Sequence, residues 1–336
     1  MAASSTGSFN QFYRRSLLIV LLLTTALPLW NVIVNPYQVL PSPFAVIPFG
    51  YSPVTNERYL KLKYLLNTGE DSGQSSPDAY MVGSSVMGLI DPKLAEPRFP
   101  GTHFYNLAFL AAKPGEILAT LKALKQAGRP LRRILYGLEP IGFTDRDNHG
   151  PAYRLHPLAA GESQWRSLWN YGFAPSVSDG IAALSEPVNG QWPVRYDIRG
   201  SGRYFLPRFD KTIESDPETY RREHFPPTAK SLPAPPWLPE RFDEFARLVQ
   251  WCREQNIAIN VYFNPLHPYL AKAYGNSRLS EFRQHIARAM APDIPSDCSR
   301  LFPESSADSQ FYDARHFLPS VADSVLDCAL ASAKSN

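Results

Sequence analysis

Three residue types with complementary chemistry stand at opposite ends of one stretch of this chain: a serine in Gly83-Ser84-Ser85, and an aspartate and a histidine in Asp313-Ala314-Arg315-His316. A serine hydroxyl attacks poorly near neutral pH unless a base takes its proton, and an imidazole serves as that base when a third group fixes its tautomer. The chain offers all three roles. Gly83-Ser84-Ser85 follows the apolar run Tyr80-Met81-Val82, which places the serines at the C-terminal edge of a strand, where open α/β sheets bind ligands. There the Ser85 backbone N–H can also face a developing oxyanion. Asp313 lies three residues before His316, between Phe311-Tyr312 and Phe317-Leu318-Pro319, so its carboxylate can reach Nδ1 and leave Nε2 for the serine. Taken singly, a Gly-Ser-Ser turn or an aspartate helix cap is the plainer explanation of either motif. Together they point to nucleophilic chemistry.

The elements that must position these residues read as an α/β domain. Strands are expected over 79–82, 103–107, 133–138 and 257–263, and helices over 57–66, 116–126, 239–254 and 278–290, with a last helix after Leu318. Strand, helix, strand at this spacing is the pattern of a parallel sheet. Residues 67–77 read as a polar loop. From 143 to about 237 the rhythm breaks into a proline-rich insertion holding Trp165, Trp169, Tyr171, Trp192, Tyr196, Tyr204 and Phe205. Its aromatics either pack a lid or offer stacking faces for sugar rings.

Ahead of the domain, residues 16–34 form an uncharged apolar run about long enough to cross a bilayer. Arg14 and Arg15 precede it, so the positive-inside rule keeps the short N-terminus cytoplasmic and sends the rest across. The run is longer than a signal-peptide core, and Pro28 and Trp30 stand where a small-residue cleavage site would be. The expected organisation is therefore 1–35 tip and anchor, 36–77 linker and helical lead-in, and 78–330 the catalytic domain. With 34 Lys and Arg against 31 Asp and Glu the net charge is only +3, and no basic stripe suits nucleic acid. Cys252, Cys298 and Cys328 allow one bridge; Cys252 reads as a buried structural thiol on its helix. No His, Cys, Asp and Glu cluster has metal-ligand spacing, and no cofactor is expected. His267, in Asn264-Pro265-Leu266-His267-Pro268, is either substrate-binding or structural; His103 and His149 read as ordinary polar residues.

These motifs resemble the SGNH/GDSL hydrolase superfamily, in particular its membrane-anchored branch related to alginate O-acetylation proteins and the D-alanine transfer protein of teichoic-acid synthesis. The Gly-x-Ser block fits Gly83-Ser84-Ser85 and makes Ser85 the nucleophile; the Asp-x-x-His block fits Asp313 and His316. The second block, which supplies an oxyanion-hole amide, falls on Tyr105-Asn106-Leu107-Ala108, with Ala108 where glycine is usual. The third, Gly-x-Asn-Asp, becomes Gly137-Leu138-Glu139-Pro140, so Glu139 replaces the asparagine that donates to the oxyanion. An ionised carboxylate cannot donate. Either Asn106 supplies the missing donor, or Glu139 binds substrate hydroxyls, or the site is less active than a typical esterase. The resemblance implies a three-layer α/β/α sandwich with a short parallel sheet, anchored in the inner membrane by a single pass and facing the periplasm. It further implies an O-acyltransferase or esterase of acetyl type, acting on an exported polysaccharide or cell-envelope glycan beside a multi-pass membrane O-acyltransferase that delivers the acyl group. Two other classes fit the same residues: a noncatalytic glycan-binding subunit of a modification complex, and a lipid-active esterase.

Overall fold

Side chains that alternate across the strands give this chain a sheet covered on both faces. The computed structural model describes residues 5–68, 76–144, 149–187, 191–225 and 235–331. Most of the polar loop expected at 67–77 and parts of the 143–237 insertion lie outside the described residues. The strands are β1 (Ala79–Gly83), β2 (Phe104–Asn106), β3 (Arg133–Leu138), β4 (Ala258–Phe263) and β5 (Ser296–Asp297). All pair in parallel, in the order β2-β1-β3-β4-β5. The helices run in chain order: α1 (Ser5–Ile33), α2 (Glu57–Asn67), α3 (Ser85–Gly88), α4 (Pro114–Gln126), α5 (Pro157–Ala160), α6 (Gln164–Gly172), α7 (Val177–Leu184), α8 (Pro207–Ser215), α9 (Pro217–His224), α10 (Pro239–Glu254), α11 (Pro268–Tyr274), α12 (Asn276–Met290) and α13 (Ala322–Ala331).

Along β3, Ile134, Tyr136 and Leu138 enter one core with Ile117 and Leu121 of α4, Phe245 and Leu248 of α10, and Ile286 of α12. Leu135 enters the other core, with Val86 and Met87 of α3 and Val325 and Leu326 of α13. Period-two alternation thus commits each face to a different set of helices. Strand β5, only two residues at the sheet edge, has no expected counterpart; it is too short to carry a pattern. The insertion is more helical than its composition suggested, because several of its prolines open helices. Pro157, Pro207 and Pro217 each occupy a first turn, as do Pro114, Pro239 and Pro268 elsewhere. Proline lacks an N–H that the first turn does not use.

Cys298 and Cys328 form a disulfide that ties the segment after β5 to α13, while Cys252 is free and buried on α10. Among the described residues one helix segment, Asn10–Ile33, is long and apolar enough to cross a membrane. Its Leu17 to Leu22 are all exposed, and Thr24 and Thr25 return their hydroxyl protons to the carbonyls of Val20 and Leu21 at 2.8 and 2.7 Å. Such back-bonding satisfies a hydroxyl that an apolar surrounding would otherwise leave unpaired.

Candidate active site

Ser85 stands where β1 stops. Gly83, paired in register with Gly137, has φ +145°, and a Cβ on it would lie 2.5 Å from the Gly137 carbonyl oxygen. Only glycine lets the chain leave the sheet so close to its neighbour. Ser84 follows in extended conformation as the cap residue, and Ser85 opens α3, so its backbone N–H has no intrahelical partner. Its Oγ lies 2.8 Å from His316 Nε2.

The histidine is delivered by a tight hairpin. Phe311 bridges Phe317, the Tyr312 N–H donates to the His316 carbonyl at 2.7 Å, and the Leu318 N–H donates to the Gln310 carbonyl at 2.8 Å. Phe311, Tyr312 and Phe317 are buried and pin the base of the turn. Tyr220 of α9 donates its hydroxyl to the Tyr312 carbonyl at 2.6 Å. At the tip, Asp313 Oδ1 accepts the N–H groups of Arg315 and His316, both at 2.8 Å, and Oδ2 lies 2.8 Å from His316 Nδ1. Burial pushes the Asp313 carboxyl up, but the His316 hydrogen bond, its charge and the two amides outweigh that and hold it down at about 2. The carboxylate is therefore ionised at neutral pH, the proton sits on Nδ1, and Nε2 presents its lone pair to the Ser85 hydroxyl.

A cavity of about 320 Å³ opens over this pair, lined by Leu110, Ala111, Glu139, Tyr153, Tyr204 and Arg315 among others. Wider cavities of about 530 and 610 Å³ exist elsewhere, but neither is lined by a serine–histidine pair. The insertion contributes Tyr153, Arg195, Tyr196, Tyr204 and Phe205 to the active cavity, whereas Trp165 and Trp169 do not line it.

The loop after β2 differs from expectation. Asn106 is fully buried and spends both amide protons on the carbonyls of Met87 and Ile90, each at 2.8 Å, so it is a clamp on α3 and has no proton left for an oxyanion. The Ala108 N–H is also spent, on Asn106 Oδ1 at 3.1 Å. The amides of Leu107, Phe109 and Ala112 go to backbone carbonyls, and that of Leu110 goes to the Glu57 carboxylate. Among the described residues no hydrogen bond is made by the Ala111 N–H, unlike its neighbours in this loop; Ala111 lines the cavity at φ +51°, the left-handed region that favours glycine. Buried charges on α2 hold the loop from behind. Lys61 donates to the Ala108 carbonyl at 2.5 Å and pairs with Glu57 at 3.3 Å, and Arg58 donates to the Leu110 carbonyl at 2.8 Å. Burial pulls the Lys61 ammonium below its usual range, against the pull of Glu57. Spacing could not reveal this cluster, since helix charges usually face solvent.

Glu139 lines the cavity yet is 6% exposed, and among the described residues it has no ion pair and its Oε2 no hydrogen-bond partner. Burial raises its pKa to about 7, opposed by His316 and Arg315 and assisted by Asp313. Near neutrality a large share of the group is the neutral acid, which donates an O–H. Gly137 does not line the cavity: a Cβ there would lie 2.9 Å from the Asn264 side-chain amide, so the residue makes room rather than binds. Asn264 is itself buried with neither amide atom hydrogen-bonded. His267 also lies off the cavity. Its Nε2 is 2.8 Å from Asp308, its Nδ1 accepts the Tyr269 N–H, and its ring stacks on Phe225, so of its two expected roles it has the structural one.

No family model and no curated protein matches the chain. A solved structure from Streptococcus pneumonia, provisionally named a platelet activating factor, aligns over 82% of this chain and 90% of its own with 10% identity and a TM-score of 0.39. A likeness that slight carries neither family nor activity.

Proposed function

We propose that the chain is a membrane-anchored, extracytoplasmic serine acyltransferase or esterase, SGNH-like in type, that moves an acetyl-sized acyl group on an exported polysaccharide or cell-envelope glycan. The observation that carries this reading is the continuous relay from Ser85 Oγ through His316 to Asp313, with contacts of 2.8 Å at both steps. In the first half-reaction Ser85 Oγ bonds to the acyl carbon as its proton passes to His316 Nε2. The oxyanion meets the N–H groups of Ser85 and Ala111 and the O–H of neutral Glu139. Collapse breaks the donor's ester bond, and the leaving oxygen takes the proton from His316. In the second half a glycan hydroxyl gives its proton to Nε2 and attacks the acyl-serine, and Ser85 recovers its hydroxyl. Water in place of the glycan makes the same site an esterase.

The disulfide favours an oxidising compartment, and α1 supplies a single-pass inner-membrane anchor with the domain on the periplasmic side. Asn31 and Val34 are buried against the domain, which a cleaved leader would leave uncovered. The acyl donor in this reading is a multi-pass O-acyltransferase in the same membrane. A glycan-binding subunit has no physical need for an oriented base. The test is hydrolysis of an activated acetyl ester, with and without a polysaccharide acceptor, by wild type, Ser85→Ala and His316→Ala. Turnover and glycan acetylation lost in both variants support the reading; equal rates in all three reject it.

A further inference from the structure

Helices α6 and α7 turn apolar side chains outward where a water-facing surface would be polar. Trp165, Trp169 and Phe173 follow one another at four-residue spacing and are 82, 67 and 40% exposed. Val177 and Ile181 continue the face on α7 at 48 and 58%. The opposite sides of both helices are buried through Ser167, Tyr171, Gly180 and Ala183. Neither tryptophan lines the active cavity, so stacking on a bound glycan at the site does not account for them.

This face is fixed to the end of α1. Asn31 donates its amide protons to the carbonyls of Gly172 and Ala174 at 2.8 and 2.9 Å and accepts the Ser176 hydroxyl. Trp30 lies so close to Gly180 that a Cβ there would be 2.9 Å from its ring. The apolar segment Asn10–Ile33 has 24 residues. Of these, residues 16–33 carry no charge, and at about 1.5 Å each those 18 span about 27 Å, close to the ~30 Å hydrocarbon thickness, with Arg14 and Arg15 at the far surface. Its last turn therefore emerges at headgroup level, where Trp is favoured, and α6 and α7 are packed against that turn. Exposed Val46 lies beside it, its N–H bonded to the Ile33 carbonyl at 2.9 Å. The cavity that opens next to Asn35 has Lys63 and Arg199 as its charged lining residues and no acid, which suits anionic headgroups.

We propose that the outer face of α6 and α7 lies in the headgroup layer of the same bilayer that α1 crosses, so that the domain is docked on the membrane rather than tethered to it. Amphipathic helices bind lipid surfaces in this way. The inference rests on the anchor reading above and adds a fixed orientation: the Ser85 cavity stands at a set height over the lipid, and its glycan is met at the membrane surface.

The test uses the full chain in phosphatidylcholine–phosphatidylglycerol vesicles, with an environment-sensitive fluorophore on single added cysteines. Cys252 is buried and the other two cysteines are paired, so the added thiol takes the label. The variants are Trp169→Cys, Ile181→Cys, Leu21→Cys within α1, and Ile294→Cys, a distant residue 81% exposed. Lipids carrying a quencher near the headgroup should quench positions 169 and 181 several-fold more than 294, and a deep quencher should quench 21. If 21 is quenched while 169 and 181 behave like 294, the domain is tethered and the docking is wrong, though the anchor stands. An unquenched 21 removes the anchor and the docking with it. A probe at 169 shielded from water but blind to the lipid quencher means that protein covers this face, which also overturns the proposal.

Discussion

Two groups of polar residues share the C-terminal edge of the sheet, and they are built in opposite ways. On one side the hairpin 311–317 carries a connected path: Asp313 accepts from two amides and an imidazole, and His316 reaches Ser85. On the other side Glu139 Oε2 and both amide atoms of Asn264 are buried with no hydrogen-bond partner among the described residues. The wired side fixes a proton path before substrate arrives. The unwired side keeps donors and acceptors available, which costs folding stability and gains interactions made only with a bound molecule.

Breaking the wired side should produce the largest effects. Ser85→Ala or His316→Ala should lower ester turnover by about 10⁴-fold or more with folding intact, measured by kcat/KM and circular dichroism. Asp313→Asn should cost about 10³- to 10⁴-fold, mainly in kcat, since KM does not depend on the tautomer of the base. Lys61→Met attacks the same side from behind. It leaves the Glu57 carboxylate buried and unpaired under the Ala108–Leu110 loop, so thermal or urea unfolding should show a loss of about 3–5 kcal/mol, and kcat should fall as the Ala111 amide loses its position.

The unwired side should respond through pH. The folded state raises the Glu139 carboxyl from 4.5 to about 7, so it binds more protons than the unfolded chain in that window, and stability is lost as pH rises through it. The loss should be about 3 kcal/mol relative to Glu139→Gln, compared across the same pH range by urea unfolding. Activity carries the same sign: wild-type turnover should decline above about pH 7 as the donor ionises, and Glu139→Gln, which keeps a donor at every pH, should lack that decline. The smallest effect belongs to Asn264→Leu. Exchanging an unpaired buried amide for an apolar side chain of similar size should change stability by only about 1 kcal/mol. A much larger loss would show that Asn264 is bonded in the resting enzyme and that the contrast is wrong.

What the sequence made legible follows the same division. The strand from Arg133 to Leu138 and the helix from Pro239 to Glu254 were readable because apolar periodicity and end signals agree along them. Gly83, Ser85, Asp313 and His316 were readable because their spacing is local to one strand end and one turn. Ala111 was not, since an unpartnered amide emerges only once every other amide in its loop has been assigned. The buried Lys61–Glu57 pair was hidden for a related reason: helix charges look solvated until tertiary packing encloses them. Prolines of the insertion read as loop punctuation, yet Pro157, Pro207 and Pro217 begin helices, a distinction set by the residues that follow.

The central claim is that Ser85 carries the acyl group. Intact-mass spectrometry of the full chain, quenched in acid after brief exposure to an activated acetyl ester, tests it most directly. The account predicts one acetyl adduct on the wild type, mapped by peptide fragmentation to Ser85, lost on adding a hydroxylic acceptor and absent from Ser85→Ala. An adduct that persists in Ser85→Ala, or a Ser85→Ala enzyme that turns over the ester as fast as the wild type, would contradict acyl-serine chemistry at this site.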